Sequence, residues 1–311
     1  MRTLYISLFG KFNIRYGEED AIGFESKKQR ELLCYLLVYR NRPHSREKLA
    51  TMLWKDSSAT QSKRYLRQAI WHLQSILNYK DANEKKIFLV ESDWIQINKH
   101  FNFWLDIEQF EQISIEVNGT RGAELDSQAA EKIHDAIQLY NGNLLENWYQ
   151  DWCIFERERF QNIFLNLLQK LIMYCEYQQA YEQGLAYGSL ILQWDRACEK
   201  AYRQMMRLRY LAGDRTGAIR QYQRCVQVLN DELNVAPSSQ TTSLYKAIQS
   251  DTFPNNQEIS VRSLLPVSKK TISLSDVLHR LLLLSQLLEE LQVQVQEDIQ
   301  DVNLMLERNQ I

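Results

Sequence analysis

Apolar residues along this chain change their period three times. Over residues 3–16 they alternate, with Leu4, Ile6 and Leu8 on one side, then Phe12, Ile14 and Tyr16, and Gly10-Lys11 between them. A period of two predicts two short antiparallel strands joined by a turn. The period then lengthens to three or four. Leu32, Leu33, Leu36 and Leu37 predict a helix over 26–39, stopped by Asn41-Arg42-Pro43. Ser45 stands in the N-cap position of a second helix, REKLATMLW, with Glu47 in its first turn. A polar turn, Lys55-Asp56-Ser57-Ser58, leads into a third helix over 59–77, whose apolar stripe is Leu66, Ile70, Leu73 and Leu77. Two short apolar runs follow, Ile87-Phe88-Leu89-Val90 and Ile95-Gln96-Ile97, around Glu91-Ser92-Asp93-Trp94. They predict a hairpin. Strands, three helices and a hairpin describe a winged helix-turn-helix over 1–102, with an extra N-terminal sheet.

From 103 to 250 the pattern is helical, with helices expected over 126–140, 152–174, 179–193, 198–212, 216–230 and 239–250. Gly184 and Ala218, Leu185 and Ile219, and Leu192 and Val226 are each 34 residues apart. That is the period of tetratricopeptide repeats, whose stacked helix pairs build a groove for a protein. The repeat is degenerate, because Gly188 stands opposite Tyr222, and a purely structural helical domain is the alternative. A polar linker with Pro254 and Pro266 spans 251–272. Beyond it, over 273–308, heptad positions a and d are Leu274, Val277, Leu281, Leu284, Leu288, Leu291, Val295, Asp298, Val302 and Met305, all apolar except Asp298. The pattern predicts a coiled-coil helix that pairs two copies of the chain. Leu278, Leu282 and Leu287 widen the stripe, so packing into a bundle or onto a partner helix is the alternative. The expected fold is mainly α with a small β component.

Charge separates the two halves. Residues 24–80 hold twelve Lys and Arg against four Asp and Glu, whereas the whole chain is −2. A basic three-helix segment in a near-neutral protein points to a polyanion, with double-stranded DNA first among them. With the third helix's stripe turned inward, its other face carries Lys63, Arg64, Arg67, Gln68, Trp71 and Gln74. Arginine can bond a guanine edge twice and glutamine an adenine edge twice. Lys63, Arg64, Arg67, Gln68 and Gln74 are therefore expected at bases or phosphates. Arg42, Arg46, Lys48, Lys85 and Lys86, at the start of the second helix and in the wing, are expected at phosphates, where they position without reading sequence. Trp71 is expected to pack under the wing rather than touch a base. The bland alternative for this face is a solvated helix surface.

Other chemistry is sparse. Cys34, Cys153, Cys175, Cys198 and Cys225 form no CxxC pair and read as reduced thiols, four of them on apolar helix faces. The five histidines lie far apart with no HExxH, and no GxSxG or GxxxxGK[ST] occurs, so neither an enzyme nor a bound cofactor or metal is expected. The N-terminus lacks a signal-peptide pattern and no apolar run is long enough to span a bilayer. A cytoplasmic protein without a membrane partner is expected.

Two sets of motifs resemble a known family. Leu8-Phe9-Gly10-Lys11-Phe12, Lys27-Lys28 with Leu32-Leu33, Ser45-Arg46-Glu47-Lys48-Leu49-Ala50 with Leu53-Trp54, and Arg64-Tyr65-Leu66-Arg67-Gln68-Ala69-Ile70 resemble a response-regulator-type winged helix. Tyr140-Asn141-Gly142-Asn143-Leu144-Leu145, Asp151-Trp152, Glu156-Arg157-Glu158-Arg159, Glu199-Lys200-Ala201-Tyr202, Ala212-Gly213-Asp214-Arg215 and Glu232-Leu233-Asn234-Val235-Ala236-Pro237-Ser238 resemble the bacterial transcriptional activator domain. In this order they resemble the SARP family of bacterial transcriptional regulators over residues 2–250. The resemblance implies a DNA-binding activator that recognises repeated promoter elements and contacts RNA polymerase, with Arg64 and Arg67 on the recognition helix. Where the family often ends that helix in Leu-Arg, this chain has Leu73-Gln74, which takes away one phosphate contact. The competing reading is an interaction scaffold that uses the helical array and coiled coil without specific DNA binding.

Overall fold

The structure, a computed structural model, describes residues 3–18, 23–24, 26–77 and 86–252. The expected coiled coil at 273–308, most of the linker and Lys85 lie outside the described residues. Two strands open the chain, β1 (Leu4–Ser7) and β2 (Asn13–Tyr16), followed by α1 (Lys27–Val38). Then come β3 (His44–Ser45), α2 (Arg46–Leu53), α3 (Ala59–Leu77), β4 (Phe88–Val90), β5 (Trp94–Ile97) and β6 (Phe103–Leu105). The remainder is helical: α4 (Asp106–Glu116), α5 (Ser127–Leu139), α6 (Asp151–Tyr177), α7 (Tyr181–Trp194), α8 (Glu199–Leu211), α9 (Arg215–Leu233) and α10 (Ser239–Gln249).

Local chemistry explains the N-terminal helices. The Ser26 side chain caps α1 by accepting from the Lys28 N–H, and Ser45 caps α2 by accepting from Lys48. Leu32, Leu33, Leu36 and Leu37 of α1 are fully buried, as are Leu73 and Leu77 of α3. The strands form two three-stranded sheets, one ordered β2-β1-β6 and the other, the wing, ordered β3-β5-β4. In the first sheet β1 pairs antiparallel with β2 and parallel with β6, Leu4 facing Phe103 and Ile6 facing Leu105. The sequence pattern marked neither β6 nor α4. Three residues are too few to show a period, and the partner of β6 lies about a hundred positions away.

That pairing binds the N-terminal sheet to the helical part. Phe9 inserts its ring among Phe110, Tyr140 and Phe160, at centroid distances of 5.2, 4.7 and 5.4 Å. Asp106, at the start of α4, is buried. Its carboxylate accepts backbone N–H bonds from Leu8 at 2.7 Å, Phe9 at 2.9 Å and Ile107 at 2.7 Å. Burial pushes its carboxyl up to about 6, against the pull of those donors. The loop at 141–150 completes the joint: Gly10 N–H donates to Asn143 O, Leu145 N–H to Leu8 O and Glu146 N–H to Gly10 O. Gly10 has φ +69°, and a Cβ there would meet Asn141 Oδ1 at 3.1 Å, so the turn needs glycine. Arg157 holds the same loop from α6, bonding the carbonyls of Leu144, Leu145 and Trp148. Farther out, buried Arg40 ties the end of α1 to Glu108 and Glu111 of α4 at 3.1 and 2.5 Å.

From α6 to α10 each helix packs on the next, the stacked arrangement of a repeat array. Gly184 lets α7 approach α8, since a Cβ there would lie 2.8 Å from Leu208 Cδ1. Gly188 is matched by Met205, whose Cγ would lie 2.6 Å from an added Cβ. Its repeat counterpart Tyr222 instead stacks on Tyr245 at 4.0 Å. A glycine with a large partner in one repeat and two stacked rings in the other fill the equivalent positions, so the sequence match is degenerate. Before α5, a single 3-10 turn (Gly122–Glu124) presses on α6, and a Cβ on Gly122 would meet the Lys170 carbonyl and lie 2.5 Å from Met173 Cβ. Gly122→Ala is expected to lower stability by about 2–3 kcal/mol in denaturant unfolding, the usual cost of overpacking against backbone. An unchanged midpoint would mean that this turn can move off α6.

Candidate nucleic-acid interface

Helix α3 is braced by α1 and α2 and leaves one long face in solvent. A helix repeats every 3.6 residues, so Ser62, Leu66, Ala69, Ile70, Leu73 and Leu77 share the buried side. Lys63, Arg64, Arg67, Gln68 and Trp71 all lie exposed on the other side. Among the described residues Arg64 and Arg67 make no ion pair, so both guanidinium groups keep their five donors for a ligand. Lys63 differs. Its ammonium lies 2.7 Å from Glu47 of α2, and it holds the Glu47 carboxyl below the usual carboxylate range. Part of the positive charge at the entry to α3 is thereby compensated within the protein.

The expected phosphate-side residues divide in the same way. Lys48 and Lys86 are exposed. Arg42 is exposed and its guanidinium lies 5.0 Å from the Tyr39 ring centroid. Arg46 faces the wing: its Nη1 donates to the carbonyls of Glu91 at 2.8 Å and Ser92 at 2.9 Å. The Arg46 backbone N–H bonds the Asp93 carbonyl as well, so the start of α2 is tied to the wing tip by three hydrogen bonds. Gln74 is half-buried, and its amide donates to the Phe88 carbonyl at 3.4 Å, which sets it against β4. Between the α2 start, α3 and the wing tip lies a cleft of about 360 Å³ lined by Ser45, Arg46, Glu47, Lys63, Arg67 and Asp93.

Trp71 was expected to pack under the wing, and the structure corrects this. Its side chain is 68% exposed. The residue stands seven positions after Arg64 and four after Arg67, in the solvent stripe, while the wing is approached by Gln74. The helical period already puts Trp71 on the outward face; the wing does not reach far enough to cover it.

Residues 105–249 match the family model described as "Bacterial transcriptional activator domain". The match covers the helical part of this chain, somewhat under half of its length. The matched span begins at the last residue of β6 and takes in every helix from α4 to α10. Among solved structures, "Mycobacterium tuberculosis EmbR in complex with low affinity phosphopeptide" matches with a TM-score of 0.66 at 16% identity, covering 85% of this chain and 69% of that one. At that identity the likeness is one of fold. A span of that size exceeds the activator domain and takes in part of the winged helix. Comparison with curated proteins gives no match. A winged helix followed by an activator domain is the layout of SARP-type regulators. No helix among the described residues is long and apolar enough to cross a membrane.

Proposed function

We propose that this chain is a sequence-specific, DNA-binding transcriptional regulator of the SARP type that activates its targets from the cytoplasm. The observation that carries the reading is the solvent-facing row Arg64, Arg67 and Gln68 on a helix braced from behind and joined to an activator domain. Such a helix fits the major groove, where arginine and glutamine can each bond one base edge twice. Lys48, Arg42 and Lys86 flank it and supply charge for phosphates, while Arg46 steadies the wing that carries Lys86. The helical array offers the surface for RNA polymerase or another protein. Apolar heptads from Leu274 to Met305 pair two copies, which presents two copies of α3 to repeated half-sites.

Selection of fragmented host DNA on the purified protein tests this, sequenced beside an Arg64→Ala/Arg67→Ala control. A motif that recurs at fixed spacing and disappears in the control is the expected result, and the spacing reports the pairing. A single unrepeated motif would remove the paired arrangement. No enrichment by a folded protein at low salt would overturn DNA reading and favour an interaction scaffold.

A further inference from the structure

Resting on the reading of α3 as the DNA-reading helix, we infer that Trp71 is a specificity-determining residue that recognises a thymine through its C5-methyl group. A large indole in solvent is uncommon in a folded protein, where tryptophan is on average among the more buried residues. Trp71 is 68% exposed, and the nearest described ring is that of His72, 6.4 Å away between centroids and inclined at 64°. No contact among the described residues accounts for this exposure. What surrounds it does: Arg64, Arg67, Gln68 and Ser75 are exposed on the same stripe, one or two turns away.

The chemistry then narrows. Arg64 and Arg67 suit acceptors on phosphates or guanine, and Gln68 suits adenine. An indole brings one N–H donor and no charge, and most of its surface is apolar. The apolar group that the major groove displays is the thymine methyl. Trp71 lies seven residues beyond Arg64, about 10 Å along the helix axis at 1.5 Å per residue. That span sets Trp71 beyond the base or phosphate nearest Arg64, and the thymine takes the same place in each half-site.

Replacing thymine by deoxyuridine removes that methyl and leaves base pairing intact. Duplexes selected by the wild-type protein from amplified, unmethylated DNA contain no other C5-methyl. In these duplexes each thymine is replaced in turn by deoxyuridine, and Kd is measured for the wild type and for Trp71→Ala. One replacement per half-site is expected to weaken wild-type binding about fourfold, the transfer of one methyl group out of water. The same replacement is expected to leave Trp71→Ala binding unchanged, so that the two losses do not add. A motif in which no deoxyuridine weakens the wild type overturns the assignment of Trp71 and leaves DNA reading intact. Equal losses for wild type and variant overturn it too. Failure of the wild type to select any motif overturns both. The deoxyuridine series leaves the protein unaltered, so the result does not depend on how the variant folds.

Discussion

The Arg64→Ala/Arg67→Ala double variant is expected to bind its DNA about a hundredfold more weakly than the wild type, with an unchanged thermal midpoint. Both side chains are exposed and make no ion pair among the described residues, so their loss leaves no buried group unpaired. Each arginine that bonds a base edge contributes about 1–3 kcal/mol of discrimination, which places the pair near a hundredfold. Fluorescence anisotropy across a salt series separates the roles of the two. An arginine on a phosphate takes about 0.9 off the slope of log K against log salt and weakens all sequences alike. An arginine on a base relaxes the motif at one position. A drop in the thermal midpoint comparable to that of a core substitution would show that this face packs against something. Wild-type affinity in the double variant would move DNA contact to another surface.

Asp106 carries the second large effect. Among the described residues its carboxylate is the only acceptor for three buried backbone N–H groups, those of Leu8, Phe9 and Ile107. Asp106→Ala orphans all three, at about 1–3 kcal/mol each, partly offset by relief from burying the carboxylate. A net loss of about 3 kcal/mol is expected. The pH dependence is more diagnostic. Burial raises the folded carboxyl to about 6, above the ordinary 3.8 that the unfolded chain keeps. Between those values the unfolded chain has released its proton and the folded chain still holds it, so stability falls as pH rises. The contribution is fully present below about pH 4 and is lost above about pH 6. Wild-type stability, measured against Asp106→Ala by urea unfolding, should fall by about 2 kcal/mol from pH 4 to pH 7. A flat difference would mean that the three N–H donors keep Asp106 ionised throughout.

Much of the fold is legible in residue order because its signals are local. The stripe of α3, the cap at Ser45, and the two-residue period of β1 and β2 each need only a short window. The rest depends on partners far apart in sequence. Strand β6 exists because Leu4 and Ile6 wait for Phe103 and Leu105, and no window contains both. Asp106 is an acid between two apolar residues, Leu105 and Ile107, and only the fold brings the N–H groups of Leu8 and Phe9 to it. On the candidate site, side-chain type and helical phase were enough to bring Arg64, Arg67 and Gln68 to one face. They could not show that Glu47 holds Lys63, that Arg46 faces the wing, or that Gln74 rests against Phe88. Those assignments depend on side-chain reach across elements rather than on spacing.

The motif at 8–12 and the motif at 140–145 lie far apart in sequence, yet they are two sides of one seam, stitched by Gly10, Asn143, Leu145 and Glu146. Modularity is therefore limited. A chimera that grafted residues 1–102 onto a foreign activation segment would leave behind β6, Asp106 and the aromatic socket of Phe9. The exchangeable cassette is the winged helix together with its activator domain. On the proposed reading of α3, new DNA specificity is best transplanted as its solvent face alone, with the seam untouched.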